Sequence, residues 1–358
     1  MAFNLKYVPA LRGRQQELIV LSDFDFGERI YPLLEIIKEK DRVNNAKPSA
    51  EIWTDYIHKV SAPHVLVDLP VYIRDSPSMQ DEVILFNRTM LSNLERRIDF
   101  FKSLASALPK IIPVVSTLAL KTGEAGTISK QISALRQTFP IIAIRTFTNT
   151  LEIDLPELNQ ELTAADILIY DLDTTQPYSP LVRKQARDIA GIVNGYKVVL
   201  RSAINTEIQN TKLDHGDIVP DADNSLLEAF RIAPLKMNAF GDYGGIKKDE
   251  LSSGGTISPG FIFYDPIDNL YYGYRGNIKD LSEFELTIIP AVLGSPVFKS
   301  MQSHHPEYVD PTTNTGIRML REIAAGTTPG KSQAKFKRIS MEHYLHCMKV
   351  LIEKGTFD

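Results

Sequence analysis

The sequence predicts an α/β protein built on a (β/α)8 TIM-like barrel, followed by a C-terminal β-hairpin and a helical cap. Three observations predict it. Eight short apolar runs recur along the chain, each ending in a polar or charged residue, and most are continuously apolar in the middle, as strands buried on both faces of a parallel sheet are. Longer segments with helical spacing of apolar residues separate them. Eight such units over about 245 residues match the strand count and length of a barrel. The structural rival, an open doubly wound sheet, needs a glycine-rich first turn that this sequence lacks.

In order, the runs are Leu5–Arg12 (LKYVPALR), Ile30–Ile36 (IYPLLEI), His64–Val71 (HVLVDLPV), Lys110–Thr117 (KIIPVVST), Pro140–Phe147 (PIIAIRTF), Asp166–Asp173 (DILIYDLD), Tyr196–Ala203 (YKVVLRSA) and Asn238–Ile246 (NAFGDYGGI). The intervening helices are read at Glu51–Val60, Met79–Leu108, Ile128–Phe139, Leu181–Val193 and Ser225–Ile232, the last capped by Asp223 or Asn224. Prolines in the first, second and fourth runs argue against central strands, since each deletes a ladder donor. Their shared pattern (YVPALR, IYPLLE, IIPVVS) suggests one local device at the same height of each strand.

After Ile246 the texture changes, so the domains are expected to be 1–246 for the barrel and 247–358 for an extension packed on it. Lys247–Gly260 reads as a flexible connection, and Phe261–Asn277 (FIFYDPIDNLYYGYRGN) as a hairpin turning near Asp265–Asn269. Phe284–Val292, Ile317–Ala325 and Met341–Glu353 read as helices, with 302–315 and 326–338 as mobile loops.

Composition excludes several classes. The chain of 358 residues is 43% hydrophobic with a net charge of −4, enough for a full core and too acidic to coat DNA by a bulk positive field. One cysteine, Cys347, rules out an internal disulfide or a Cys cluster for metal and suits a reducing cytoplasm. No apolar stretch approaches the length of a membrane span or signal core, so a cytoplasmic protein is expected, with no membrane partner. Walker, dinucleotide, GxSxG and HExxH patterns are missing, and no lysine closes a run in mid-barrel.

The segments YVPALRGRQQEL, RIYPLLEI, FGDYGGI, YGYRG and MEHYLHC, in that order over nearly the whole chain, resemble the beta protein family of phages, prophages and bacteria. The resemblance implies a bacterial or phage setting and a part in phage–host conflict, and it supplies no known reaction.

Barrel chemistry sits at the C-terminal ends of the strands, so the polar residue closing each run carries the site expectation. Those residues are Arg12, Glu35, Asp68, Ser116, Arg145, Asp171, Asp173, Arg201 with Ser202, and Asp242, a ring of carboxylates and guanidiniums. Glu35, Asp68, Asp171 and Asp242 are the catalytic candidates. Glu35, Asp171 and Asp173 are the candidate ligands of Mg2+ or Mn2+, the last two lying on one side of an extended chain. Arg12, Arg14, Arg145, Arg201 and Arg275 are the anion-binding candidates, with Arg12-Gly13-Arg14 placing two guanidiniums and backbone amides beside a phosphate. The structural reading of the same ring is that Arg and Asp pair across the mouth because buried charges must.

Other features carry weaker chemistry. Tyr264, Tyr271, Tyr272 and Tyr274 with Arg275 either stack a base or sugar or, more simply, anchor the hairpin. His304, His305, His343 and His346 suggest metal or ordinary packing. The segment Lys331–Arg338 (KSQAKFKR) is the best nucleic-acid candidate or a solvated charge run. Two functions follow. One is a metal-dependent hydrolase of phosphodiester or nucleotide ligands. The other is a non-catalytic barrel binding an anionic small molecule or a protein partner, as a sensor or inhibitor.

Overall fold

A computed structural model describes residues 3–40, 47–248, 251 and 258–358. All eight apolar runs are strands of one closed, wholly parallel barrel: β1 (Tyr7–Arg12), β2 (Leu33–Glu35), β3 (Val65–Asp68), β4 (Ile111–Val115), β5 (Ala143–Phe147), β6 (Ile167–Asp171), β7 (Tyr196–Leu200) and β8 (Ala239–Asp242). β8 pairs with β1 to close the ring. The chain divides into two compact units. The barrel unit comprises Met1–Arg201, Ser225–Asp242 and Leu251–Ser253, and the second comprises Ser202–Asn224, Tyr243–Glu250 and Gly254–Asp358.

Parity along the strands decides which side chains line the barrel. Arg145 on β5 bonds to residues of β2, β3 and β6, and in a closed ring only a side chain crossing the interior reaches all three. Counting in steps of two and across the register, the inward side chains toward the C-terminal end include Val8, Ala10 and Arg12; Glu35; Asp68; Val114; Arg145 and Phe147; Ile169 and Asp171; and Leu200, with Gly241 at the matching position of β8. At Gly241 a Cβ would lie 2.5 Å from the Val8 carbonyl and 3.2 Å from Leu200 Cδ1, so only glycine allows this approach.

Pro9 and Pro113 stand inside barrel strands, and Pro32 immediately precedes β2. Their expected common height holds for one pair alone. Ala10 opposite Leu33 puts Pro9 level with Pro32, whereas Pro113 stands opposite Val67, two residues above the Val65 level to which Pro32 belongs.

The helices follow the sequence reading with three differences. The expected long helix Met79–Leu108 breaks into Asp81–Ser92 and Leu94–Ser103, because Asn93 turns its side chain to accept the Arg96 N–H at 2.9 Å and starts a new helix. Ser225–Ile232 shrinks to one turn, Leu226–Ala229, preceded by Ser225 rather than capped by Asp223 or Asn224. Helices Gln15–Asp23 and Leu151–Glu161, the second with Pro156 inside it, add to the expected set.

That second helix carries a buried carboxyl on the outer face of β5. Asp154 Oδ2 accepts Thr146 Oγ1 at 2.7 Å and Thr150 Oγ1 at 2.8 Å, and burial raises its pKa from 3.8 to about 6 against those hydrogen bonds. A carboxyl with a raised native pKa favours folding most below its unfolded value and loses that contribution as pH climbs from 3.8 to about 6, a loss of about 3 kcal/mol at most. Asp154→Asn keeps an acceptor for both hydroxyls and is expected to raise stability by about 2 kcal/mol at neutral pH. Urea unfolding at pH 4 and pH 7 checks it: the gain must vanish at the lower pH.

In the second unit, β9 (Gly260–Asp265) and β10 (Leu270–Arg275) form the predicted hairpin, turning where expected. Backbone bonds from Gly216 to Gly273 and from Val219 to Tyr271, each 2.8 Å, add the 202–224 segment along the edge of β10. The predicted helix Phe284–Val292 is present as a π-helical turn Phe284–Ile288 running into Ile289–Gly294, and helices Pro296–His304, Thr315–Ala324 and Gln333–Glu353 follow. The segments read as mobile carry structure: Pro306–Tyr308 is a 3-10 turn, fully buried Asn314 caps the next helix, and 333–338 begin the last one. The Lys247–Gly260 connection lies partly outside the described residues. Gly245, at φ +68°, lies where a Cβ would meet Tyr344 Cβ at 2.5 Å. Among the described residues no helix is long and apolar enough to cross a membrane.

Candidate functional site at the C-terminal end of the barrel

The register places Arg12 beside Glu35 and Glu35 beside Asp68 at the C-terminal ends of β1, β2 and β3. Across the mouth, Asp171 ends β6, and Arg145 rises from one layer lower on β5. Arg145 is the hub. Its Nη1 donates to Glu35 Oε1 at 2.8 Å and Asp68 Oδ2 at 2.7 Å, and its Nε and Nη2 donate to Asp171 Oδ2 at 3.0 and 2.6 Å. All four groups are at most 1% exposed. Burying three carboxylates around one cation is costly unless further positive charge compensates them, and two more arginines do so.

Arg12 Nε lies 3.3 Å from Glu35 Oε2, and its Nη2 lies 3.3 Å from the Tyr72 hydroxyl, which donates to that same carboxylate oxygen at 2.6 Å. From the helix layer, fully buried Arg97 brings Nη2 to 3.8 Å from Asp68 Oδ1. Gln131 holds it there, accepting Arg97 Nε at 3.0 Å while donating to the Ser116 carbonyl at 2.9 Å. Desolvation lowers the Arg97 pKa to about 10, which leaves the group charged at neutral pH. Tyr72 covers the network, with the Arg145 guanidinium 5.1 Å from its ring centroid and 5.3 Å from that of Phe147.

The network therefore unites five sequence-predicted residues, Arg12, Glu35, Asp68, Arg145 and Asp171, with Ser116 next along the inward face of β4. The other candidates stand apart from it. Asp242 follows Gly241 and so faces outward, where it accepts the Tyr7 hydroxyl at 2.6 Å beside Phe240. Arg201 follows inward Leu200 and donates from Nε to the Thr175 carbonyl at 3.0 Å. Asp173 is exposed, and its φ of +52° ends the extended alternation that would have set it on the same side as buried Asp171. Half-buried Arg14 precedes helix Gln15–Asp23, and the Arg12 N–H expected for a phosphate donates to the Glu17 carboxylate. Arg275 lies in the second unit and donates to the Thr211 carbonyl at 3.1 Å.

The divalent-ion expectation fits these residues poorly. Glu35 and Asp171 converge on the Arg145 guanidinium, a fixed positive charge standing where a shared cation would lie. Among the described residues no group of three His, Cys, Asp or Glu side chains is arranged to hold a metal ion.

Sequence reading missed Arg97, Tyr72 and Gln131. Arg97 carried a usable signal: it lies at helical spacing from Phe100 and Phe101, on the buried side of its helix. A charge on an apolar helical face calls for a partner in the core.

In the second unit, Tyr264, Tyr271 and Tyr274 are buried, with Tyr264 packed 4.7 Å from Tyr344, so they anchor the hairpin. His343 donates from Nε2 to the Tyr264 carbonyl at 2.8 Å and accepts at Nδ1 from the Asn314 amide at 2.9 Å, and His346 donates from Nε2 to the Glu307 carbonyl at 2.8 Å. Phe336 of the basic segment is fully buried and stacked 4.3 Å from Phe284, which removes the aromatic platform a nucleic acid would use.

Fold and mouth together define a (β/α)8-barrel protein with a charge-compensated arginine–carboxylate network at the C-terminal ends of its strands. The chain belongs to the beta protein family, whose model matches residues 7–349. No curated protein matches it.

Proposed function

We propose that the barrel mouth binds a small anionic ligand, phosphate-bearing or nucleotide-like, through Arg12, and that it acts by binding rather than by metal-dependent hydrolysis. The observation that carries this reading is the exposure of the three network arginines. The Arg12 side chain is 8% exposed, and those of Arg97 and Arg145 are wholly buried. Two of the contacts of Arg12, to Glu35 Oε2 and to the Tyr72 hydroxyl, are 3.3 Å long. When Arg12 turns to a ligand, Glu35 keeps donors from Arg145 and Tyr72, so the exchange leaves no carboxylate stranded. Against hydrolysis, Glu35 and Asp171, two of the three carboxylates proposed to hold a metal, are already committed to the Arg145 guanidinium. A sensor or inhibitor in the cytoplasm of a bacterial or phage-infected cell is the setting that this binding role would serve.

Thermal shift and calorimetry with pyrophosphate and nucleoside monophosphates, each with and without Mg2+, test it. A saturable stabilisation is expected, with affinity at least tenfold weaker in Arg12→Gln. Equal binding by that variant, no stabilisation by any of these anions, or Mg2+-dependent turnover of a phosphodiester would overturn the reading.

A further inference from the structure

The three network carboxylates differ in how their oxygens are occupied. Glu35 receives Arg145 on Oε1 and both Arg12 and Tyr72 on Oε2. Asp171 receives Arg145 on Oδ2 and the Asp173 N–H on Oδ1, the latter at 2.7 Å. Asp68 receives Arg145 on Oδ2, and its Oδ1, although buried, has no hydrogen-bond donor. Arg97 approaches that oxygen only to 3.8 Å, beyond hydrogen-bond reach, and neither Nη1 nor Nη2 of Arg97 has a hydrogen-bond partner. The hydroxyl of Ser116, on the neighbouring strand and also buried, has none either.

Buried polar atoms without partners are uncommon and costly. An acceptor oxygen in that position is where a carboxyl proton sits at least cost, since a protonated Oδ1 becomes a donor and needs no cation. The charged and titratable groups facing Asp68 are Arg145 from β5, Arg97 from helix Leu94–Ser103 and Glu35 from β2. Glu35 shares Arg145 Nη1 with Asp68, so two carboxylates crowd one nitrogen.

We propose that Asp68 is the proton site of the network, and that anion binding at the mouth is coupled to uptake of one proton on its Oδ1. With every group ionised, the three guanidiniums of the network balance its three carboxylates. A proton from solvent on Asp68 leaves one positive charge in excess, which an anion at Arg12 then compensates. Burial raises the Asp68 pKa in the same sense, opposed by Arg145 and Arg97 and assisted by Glu35. The inference rests on the anion-binding reading above and adds its regulation: affinity falls as pH rises.

Isothermal calorimetry of the full chain with sulfate, whose charge is constant across the neutral range, tests it in two buffers of equal pH and different ionisation heat. The expected result is net proton uptake approaching one per sulfate and affinity falling by up to tenfold per pH unit. Asp68→Asn should abolish both the uptake and the pH dependence. Sulfate binding with the same heat in both buffers overturns the coupling and leaves the binding reading standing. Absence of sulfate binding overturns the coupling as stated, and the binding reading is then decided by the pyrophosphate and nucleoside monophosphate titrations above. Uptake that persists in Asp68→Asn moves the proton elsewhere and overturns the assignment; should that variant not fold, the two-buffer measurement on the unmodified chain still decides whether the coupling exists.

Discussion

Arg145→Met is expected to cost about 3–5 kcal/mol of stability at neutral pH, the range for removing one partner of a buried ion pair. The side chain makes four hydrogen bonds at 3.0 Å or less to Glu35, Asp68 and Asp171, and Met leaves those carboxylates in a dry interior with only Arg12 and Arg97 nearby. The sign of its pH dependence follows. Without the hub, the native carboxylates hold protons more tightly than they do in the unfolded chain. The native state then gains relative stability as pH falls toward ordinary carboxylate values. Urea unfolding at pH 7 and pH 5 should show the deficit shrinking on acidification. Arg12→Met should cost less, because Arg12 reaches solvent and its removal leaves Glu35 two other donors. A deficit below about 1 kcal/mol for Arg145→Met, or one independent of pH, would mean the charges are far better solvated than their burial implies.

The barrel was legible in the sequence because its signal is local. A strand buried on both faces reads as an unbroken apolar run, and each of the eight runs contains its strand. Which polar residue at the end of a run enters the mouth is not local. Asp68 and Asp242 close their runs in the same way, yet Asp68 faces inward and Asp242 outward, because pairing register sets the parity of each strand relative to its neighbours. A shift of one residue sends a side chain to the other face. Arg201, beside Leu200, is lost to the mouth by the same rule, and Asp173 by a left-handed residue after the strand.

The groups missed altogether reach the network from outside the strands. Arg97 lies on a helix and Tyr72 in the loop after β3, so reading strand ends alone passes over both. Tyr72 packs against two buried clusters, one containing Ile37, Met79 and Val83 and the other Val71, Leu118 and Phe147. Its position is thus fixed by contacts among segments far apart in sequence.

The second unit should fail in acid before the barrel, and His343 is the reason. This imidazole is fully buried, stacked on Phe263 with ring centroids 4.4 Å apart, and held between the Tyr264 carbonyl and the Asn314 amide. The neutral tautomer satisfies both partners when Nε2–H donates to the carbonyl and Nδ1 accepts from the amide. Desolvation lowers its pKa from 6.5 to about 3. An unfolded chain binds the proton below pH 6.5 while the native one refuses it until about pH 3, so the stabilisation is complete above the first value and drains away between them. The full effect is about 5 kcal/mol. Asp154, in the barrel unit, gains stability over part of the same interval, so the units should separate. The single tryptophan, Trp53, is buried in the barrel unit, and its fluorescence follows that unit alone. On titration from pH 7 to pH 4, amide protection factors in helix Gln333–Glu353, taken against the intrinsic exchange rate at each pH, should fall while Trp53 emission holds. In His343→Gln, whose amide preserves one donor and one acceptor, the protection factors in that helix should lose most of their acid sensitivity, at a cost at neutral pH of about 1 kcal/mol from the lost ring stack. Simultaneous loss of both signals, or an unchanged acid response in the variant, would show that His343 does not set the acid limit of the fold.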